Sequence, residues 1–564
     1  MTGTGSSVEY SVIPYVMLLT SLLPGLLIFT LREEQHRLRI GLNLAGALAK
    51  IVLVVLLIPP VVAGSTLRAS FSWAPGLDIV FTTDPFSLFF VALSSGLWLL
   101  TTIYAIGYLE DSPNRSRFFG FFSLCVTATV GIALAGNLLT FLIFYELLTL
   151  ATYPLVAHRG TTKALRGART YLAYTLSGGV ILLLGVVWLT LLVGPVEFTA
   201  GGVDAVAELA AERPGTATAI GALLLAGMGV KAALFPLHGW LPIAMVAPAP
   251  VSALLHAVAV VKAGAFGIVR VVHDTYGPEL SASLGLLPAL AGVAGFTIVY
   301  GSVRALTQDD LKKRLAFSTV SQLSYVALGA ALVAPMATTG ALVHIVHQGI
   351  MKITLFFCAG LFAEVLGRHR ISELDGAARR MPLTALVFTI AALGMIGLPP
   401  TAGFLSKWAL GAGALDAGQP WVLGVLLMST ALNAAYFLPV IYRIWLPERD
   451  HAGDTGDAAA DDPGEAIGDG GAGATADGAE EATGHTAGAP DAGTSAEGSA
   501  AAGAPAAPHG RTPARRLEAP AALLLPALVT GALVLLLGIA AGWDYSPWTL
   551  ARMIAETGYG GEGG

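Results

Sequence analysis

The chain has 564 residues, 55% hydrophobic and only 12% charged, with a mean hydropathy of +0.72. Globular domains carry about 25% charged residues, so a soluble globular fold is excluded. The formal charge of −6 is local: residues 451–510 hold eleven acids and no Lys or Arg, and the rest has 31 basic against 26 acidic side chains, a net of +5.

In chain order, Met1–Tyr10 is polar, with Glu9 its only charge. Without a basic start it does not read as a cleavable signal, and the first span is expected to stay. Apolar runs of about 20 residues then recur, each long enough to cross about 30 Å of hydrocarbon as a helix. They predict fourteen helices near 11–31, 38–63, 84–109, 117–135, 138–157, 168–194, 217–237, 248–273, 284–304, 312–334, 338–366, 383–410, 421–446 and 520–541. A span must satisfy its backbone hydrogen bonds internally, so the expected fold is all-α and polytopic. The stretch 447–518 before the last helix is acidic, rich in Ala, Gly, Asp, Thr and Pro, and 451–510 has no aromatic residue. Too little of it can be buried to fold, and it reads as a solvated, disordered tether, a docking tail being the minor reading.

Placing both termini outside puts twenty-two Lys and Arg in inner loops, against Arg68, Arg213 and Arg552 in outer segments. The positive-inside rule selects that orientation and puts the acidic insert in the cytoplasm. Cys125 and Cys358 both fall in apolar runs and no CxxC exists, which argues against iron–sulfur and cysteine–zinc sites. No phosphate-binding glycine motif supports nucleotide binding. No cofactor and no metal are expected.

Six cations remain: Lys50, Lys231, Lys262, Arg270, Lys352 and Lys407. Arg270 is near a helix end and is expected to snorkel. Lys50 is expected to face a neighbouring subunit or a lipid-adjacent seam. The other four fall mid-span, where each costs about 2.5–3.5 kcal/mol on insertion scales. Such residues face a bundle interior or water and mark an ion or proton path.

Two spans carry prolines beside these lysines. "GVKAALFPLHGWLPIAMVAPAP" from Gly229 interrupts the seventh span after Lys231, and "GMIGLPPTAGFLSKWAL" interrupts the twelfth before Lys407. Proline removes a backbone donor and frees carbonyls for water or a cation. The breaks lie five spans apart, which predicts two inverted five-helix repeats, spans 4–8 and 9–13, with a site at the midplane. The expected divisions are 1–110 for the first three helices, 111–274 and 275–446 for the repeats, 447–518 for the insert, and 519–564 for the last helix and tail.

"GNLLTFLIFYELLTLATYPLVAH" centres Glu146 in the fifth span. A lone carboxylate there favours its neutral form, and a nearby ammonium restores its charge. At roughly 4 Å and an effective dielectric of about 20 the attraction is about 4 kcal/mol. Glu146 is therefore expected to pair with Lys231 across helices, opening of the pair favouring proton release from the lysine. The plainer reading is a static salt bridge. "SALLHAVAVVKAGAFG" adds His256 and Lys262, and "HIVHQGIMKITLFF" adds His344, His347 and Lys352. At 100° per residue the last three project at about 0°, −60° and 80°, within one arc. Histidine passes protons near neutral pH. A metal site is the weaker reading, since i, i+3 histidines lack a local carboxylate. Lys407 ends the row. His238, near the inner end, reads as packing or water access as readily as relay chemistry.

These stretches resemble the antiporter-like proton-conducting subunits shared by respiratory complex I, membrane-bound hydrogenases and Mrp-type cation/proton antiporters. The resemblance covers about 80–450 and rests on "FYELLTLATYPLVAH", "GVKAALFPLHGWLPIAMVAPAPVSALLHAVAVVKAG", "TQDDLKKRLAFSTVSQLSYVALG", "HIVHQGIMK" and "GLPPTAGFLSKW". The first and fourth of these are most similar to the D-type Mrp antiporter subunits and their relatives, and Lys407 in place of a glutamate agrees with that. The resemblance implies fourteen helices, two inverted repeats, a midplane polar chain, membrane partner subunits and a prokaryotic plasma membrane. It implies Glu146 and Lys231 as the input pair, Lys262 and the eleventh-span histidines as the relay, and Lys407 on the exit side. The leading expectation is a proton-translocating subunit of a multisubunit monovalent cation antiporter, with Na+ as the cation. The alternatives are a proton-pumping subunit of a redox complex, and a scaffold without transport.

Overall fold

In the computed structural model, the described residues are 8–110, 112–446 and 518–559. The predicted insert lies outside them except for Glu518, whose carboxylate accepts the backbone N–H groups of Leu383 and Thr384 at 2.8 and 2.6 Å.

Strand β1 (Val8–Tyr10) precedes helices α1 (Ile13–Phe29) and α2 (His36–Val62). Strands β2 (Thr66–Ala74) and β3 (Leu77–Thr83) form an antiparallel hairpin, and β1 pairs in parallel with β2. The all-α expectation omits this sheet, although Leu67 and Ala69 are buried in alternation with Arg68 and Ser70. Period-two burial ahead of a Pro75–Gly76 turn is a strand signal. Helix α3 (Pro85–Tyr108) starts at Asp84, whose side chain accepts Ser87 N. Asn137 caps α5 (Leu138–Val156) and Thr161 caps α6 (Thr162–Val193) in the same way, each satisfying a donor that a helix start leaves free. Helix α4 (Arg115–Leu134) lies between α3 and α5. Helix α7 (Asp204–Glu212) is a short helix with no counterpart in the predicted spans.

Helix α8 (Pro214–Lys231) stops at Lys231, and the chain crosses the break to α9 (Trp240–Ile243) and α10 (Ala249–Ala257). Helix α11 (Val260–Val269) continues into a π-helical turn, Arg270–Thr275. Then follow α12 (Pro278–Ser283), α13 (Leu286–Leu306), α14 (Leu311–Ala330), α15 (Pro335–Leu366) and α16 (Ala377–Arg380). The second break separates α17 (Pro382–Ile396) from α18 (Ala402–Asp416), and α19 (Trp421–Trp445), α20 (Ala521–Ile539) and α21 (Pro547–Gly558) complete the chain. Both predicted interruptions are present. A third, at Val258–Ala259 between α10 and α11, is a difference from the continuous eighth span expected. Neither Pro nor Gly marks it.

Ten helices among the described residues, with 249–275 taken as one, are long and apolar enough to cross a bilayer. Four predicted spans fall short on that measure: α1 with 17 residues, α8, α14, and the broken α17–α18. Helix α14, "LKKRLAFSTVSQLSYVALGA", is too polar, and each half of the twelfth span has only 15 residues.

The whole apolar window of 249–275 is buried, against 33% for α2, α6 and α19, so the broken eighth span is central and those three are peripheral. Neighbours follow one order in two groups: α4 packs on α5, α5 on α6 and α6 on α8, while α13 packs on α14, α14 on α15 and α15 on α17 and α18. Without a hydrophobic drive between helices in lipid, close approach at small residues holds such a bundle. Gly264 of α11 shows this: a side chain there would meet the backbone of Met228, Lys231 and Ala232.

Gly264→Val should therefore lower the melting midpoint and yield of the purified protein in detergent, at a cost of about 1–3 kcal/mol from overpacking. Gly41→Val, at an exposed position with nothing within 4 Å, should leave both unchanged.

Candidate functional site

The first break delivers Lys231. Its Nζ is fully buried, donates to the Tyr145 carbonyl of α5, and lies 3.3 Å from the Tyr145 ring centre. The Tyr145 hydroxyl donates to Gly227 O at 3.0 Å and Trp240 Nε1 donates to Val230 O at 2.8 Å, so side chains take up carbonyls of the last turn of α8. Glu146, next to Tyr145, is half-buried and packs against Gly179 of α6. The expected closed pair is not formed: no ion pair within 4.0 Å joins Glu146 to Lys231, and Glu146 Oε1 makes no hydrogen bond. The carboxylate leaves α5 one residue on from Tyr145, about 100° around the helix, and so faces α6 rather than the end of α8. The two remain electrostatic neighbours.

The third break separates His256 from Lys262. Lys262 Nζ donates to the Ile345 carbonyl at 2.7 Å and to Gln348 Oε1, both on α15. His256 stacks on Phe356 with centroids 4.6 Å apart, and neither ring nitrogen is hydrogen-bonded. It lies within electrostatic reach of Lys352 and Lys312. Lys352 Nζ donates to Leu315 O at 3.1 Å and to Ser318 Oγ on α14. His344 Nδ1 is 2.8 Å from Ser406 Oγ of α18, and its ring centroid is 5.2 Å from that of Tyr325. His344 has Lys262, Lys407 and His347 as charged or titratable neighbours. His347 is buried with Nδ1 unbonded.

At the second break Lys407 Nζ donates to Met395 O at 3.0 Å and Ile396 O at 2.8 Å, with Thr430 Oγ1 at 3.5 Å. These are carbonyls at the end of α17, where Gly397 at φ 94 stops the helix. His238 packs between Phe235 and Tyr300 and belongs to the packing reading.

The structure thus joins Lys262, His344 and Lys407 through α15 and α18, and sets Lys231 at the α11 contact made by Gly264. Gln348, Ser406, Tyr145 and Ser318 are the partners that sequence reasoning missed. Gln348 was visible as the polar residue beside His347, but only packing shows which lysine it serves.

Two outlying cations differ from expectation. Arg270 does not snorkel: it is buried and bonds Asp84 at 2.8 Å and Asp274 at 2.7 Å, because two carboxylates converge on it from α3 and its own turn. Lys50 faces neither lipid nor a seam. It is fully buried and donates to Ser21 Oγ at 2.7 Å, because its face of α2 turns onto α1 and α4.

Fold and site together define a multi-pass helical membrane protein with a row of buried ionisable groups. Residues 135–433 match the family described as NADH:quinone oxidoreductase/Mrp antiporter, TM, and residues 74–119 match NADH-Ubiquinone oxidoreductase (complex I), chain 5 N-terminus. The chain belongs to the NADH:quinone oxidoreductase/Mrp antiporter transmembrane family. It is 36% identical to the N subunit of an NADH-quinone oxidoreductase of Desulforudis audaxviator, over 72% of this chain and 81% of that protein. It is 34% identical to the A/B subunit of a probable K(+)/H(+) antiporter of Rhizobium meliloti, over 66% of this chain and 37% of that one. It is 32% identical to the A1 subunit of a Na(+)/H(+) antiporter of Staphylococcus aureus, over 63% of this chain and 45% of that one. The match thus spans less than half of either antiporter relative. The fold superposes on a chain of the Mrp complex from Dietzia sp. DQ12-45-1b with a TM-score of 0.77 at 24% identity, covering 97% of both. A chain of an archaeal membrane-bound sulfane sulfur reductase gives 0.75 at 20% identity, covering 97% of this chain and 98% of that one.

Gln348→Leu removes the one side-chain acceptor of Lys262 at nearly constant volume. A lost hydrogen bond to a charged group is worth about 1.5–3 kcal/mol. The variant should be less stable by about that free energy in equilibrium unfolding of the purified protein, with a lower melting midpoint.

Proposed function

We propose that this chain is the proton-translocating subunit of a multisubunit monovalent cation/proton antiporter, exchanging cytoplasmic Na+ for external protons in a prokaryotic plasma membrane. Both termini face outward and the acidic insert is cytoplasmic in this reading, and residues 111–274 and 275–446 are two inverted repeats around the row. The observation that carries it is that Lys231, Lys262 and Lys352 are fully buried, Lys407 is partly buried, and all four are bonded to backbone carbonyls rather than to carboxylates. Each amine keeps a partner in either protonation state. Glu146 and Lys231 load the proton, Lys262, His256, Lys352, His344 and His347 relay it, and Lys407 delivers it. The relatives named as antiporter subunits support the transport class. Membrane partner subunits complete the assembly.

A second reading, the proton-pumping part of a redox complex, is favoured by the 36% identical relative named as a quinone oxidoreductase subunit. Co-purification separates the two: antiporter subunits alone support the first, iron–sulfur and quinone- or hydrogen-reactive subunits the second.

Glu146→Ala, Lys231→Ala and Lys407→Ala should each abolish Na+-dependent proton flux in vesicles while the complex still assembles. Wild-type flux in all three would remove the proton row from the mechanism.

A further inference from the structure

One buried amine stands outside the row. Lys50 lies midway along α2, with Nζ 2.7 Å from Ser21 Oγ of α1 and 5.1 Å from the Trp98 ring centre of α3. Thr127 of α4 reaches it through the same serine, donating to Ser21 Oγ at 2.9 Å. Among the described residues, neither a carboxylate nor a second cation lies against Lys50 from α1, α3 or α4. An amine buried this way is costly in a membrane and calls for a function. A methionine would fill the same space without that cost.

Lys50 tops a ladder. Arg39, Asn43 and Lys50 form one buried face of α2, while Leu48, Val52, Val55 and Leu56 on the other side are exposed. Arg39 donates to Ser116 Oγ at 2.6 Å, Ser123 Oγ donates to Asn43 Oδ1 at 3.0 Å, and Thr127 meets Lys50 at Ser21. Ser116, Ser123 and Thr127 all belong to α4, so the rungs climb two helices in step. From Arg39 to Lys50 the climb is about 16 Å at 1.5 Å per residue. Its foot opens on a cavity of about 200 Å³ lined by His36, Arg39, Glu110 and Arg115, with Glu33 nearby accepting Arg115 N and Ser116 N. Gly46 closes the upper part: a side chain there would meet the Thr20 carbonyl and Pro24 of α1, so lipid is kept out.

We infer that Lys50 is a further proton-binding site, separate from the midplane row and exchanging protons with the aqueous face that carries Arg39 and Arg115. That face is the inner one in the proposed orientation. The step is simple: the ammonium gives one proton to water, only an N–H bond breaks, and the remaining amine still donates to Ser21. The ligand is the proton itself, and the ladder supplies polar contacts between the cavity and mid-membrane.

The test is lysine-selective 15N NMR of the assembled complex, with the Lys50 signal identified by its loss in Lys50→Met. The expected result is a signal that passes reversibly between ammonium and amine forms over the pH range in which the complex stays assembled and transports protons. A signal fixed in one form across that range would overturn the proposal. Function gives a second arm that also separates polar glue from proton exchange. Lys50→Met and Lys50→Arg should both change the pH profile of proton flux, because arginine keeps a charge but cannot release it. Full rescue of that profile by arginine, or an unchanged profile in Lys50→Met, would overturn it. If Lys50 variants fail to assemble, Ser21→Ala and Thr127→Val carry the same arm: a changed pH profile supports the ladder, and an unchanged one counts against it.

Discussion

The structure depends on how four ammonium groups are solvated inside a bilayer without anions. Lys231, Lys262, Lys352 and Lys407 each donate to a main-chain carbonyl, of Tyr145, Ile345, Leu315, and Met395 with Ile396. A carboxylate partner would stabilise the charged form and resist proton release. A carbonyl accepts from an ammonium and from a neutral amine alike, so each lysine can change charge and keep its place. The break in the twelfth span serves this need, since Met395 and Ile396 have carbonyls to give where α17 ends, while the other three lysines share carbonyls of the continuous helices α5, α15 and α14.

The same constraint explains the centre of the bundle. Helix α15 runs 32 residues unbroken and serves four of the groups: it carries His344, His347 and Lys352 and lends Ile345 O and Gln348 to Lys262. The broken spans meet it from either side, and α18 brings Ser406 to His344. A continuous spine flanked by interrupted helices brings these polar groups together.

Much of this was legible in the sequence, for reasons that differ by residue. Hydropathy located the helices because apolar length is a local property, and Pro236, Pro399 and Pro400 announced two breaks because proline acts on its own turn. The break at Val258–Ala259 carried no such mark, since tertiary contacts and not residue type impose it. Burial of the lysines followed from cost alone, but their partners did not. Tyr145 O, Leu315 O and Ile345 O are main-chain atoms that any residue would supply. Arg270 was misread for a related reason: its distance from a helix end is readable, whereas convergence of Asp84 from 186 residues away is not.

In the proposed mechanism Glu146 is the exception that gives the row a direction. It is the one acid among the residues assigned to the row, and it stands off from Lys231 while Tyr145 holds the amine. Everywhere else neutral acceptors leave charge state open. Among the described residues, it is at this end that an anion lies near enough to bias it, because Coulomb attraction at low effective dielectric acts over several ångströms without contact. A small rotation of Glu146 away from Gly179 would deepen that bias and a retreat would relax it. An asymmetry at one end is what an otherwise symmetric file of carbonyl-bound amines lacks, and it makes the fifth–seventh span contact the place where proton loading in the proposed mechanism is controlled.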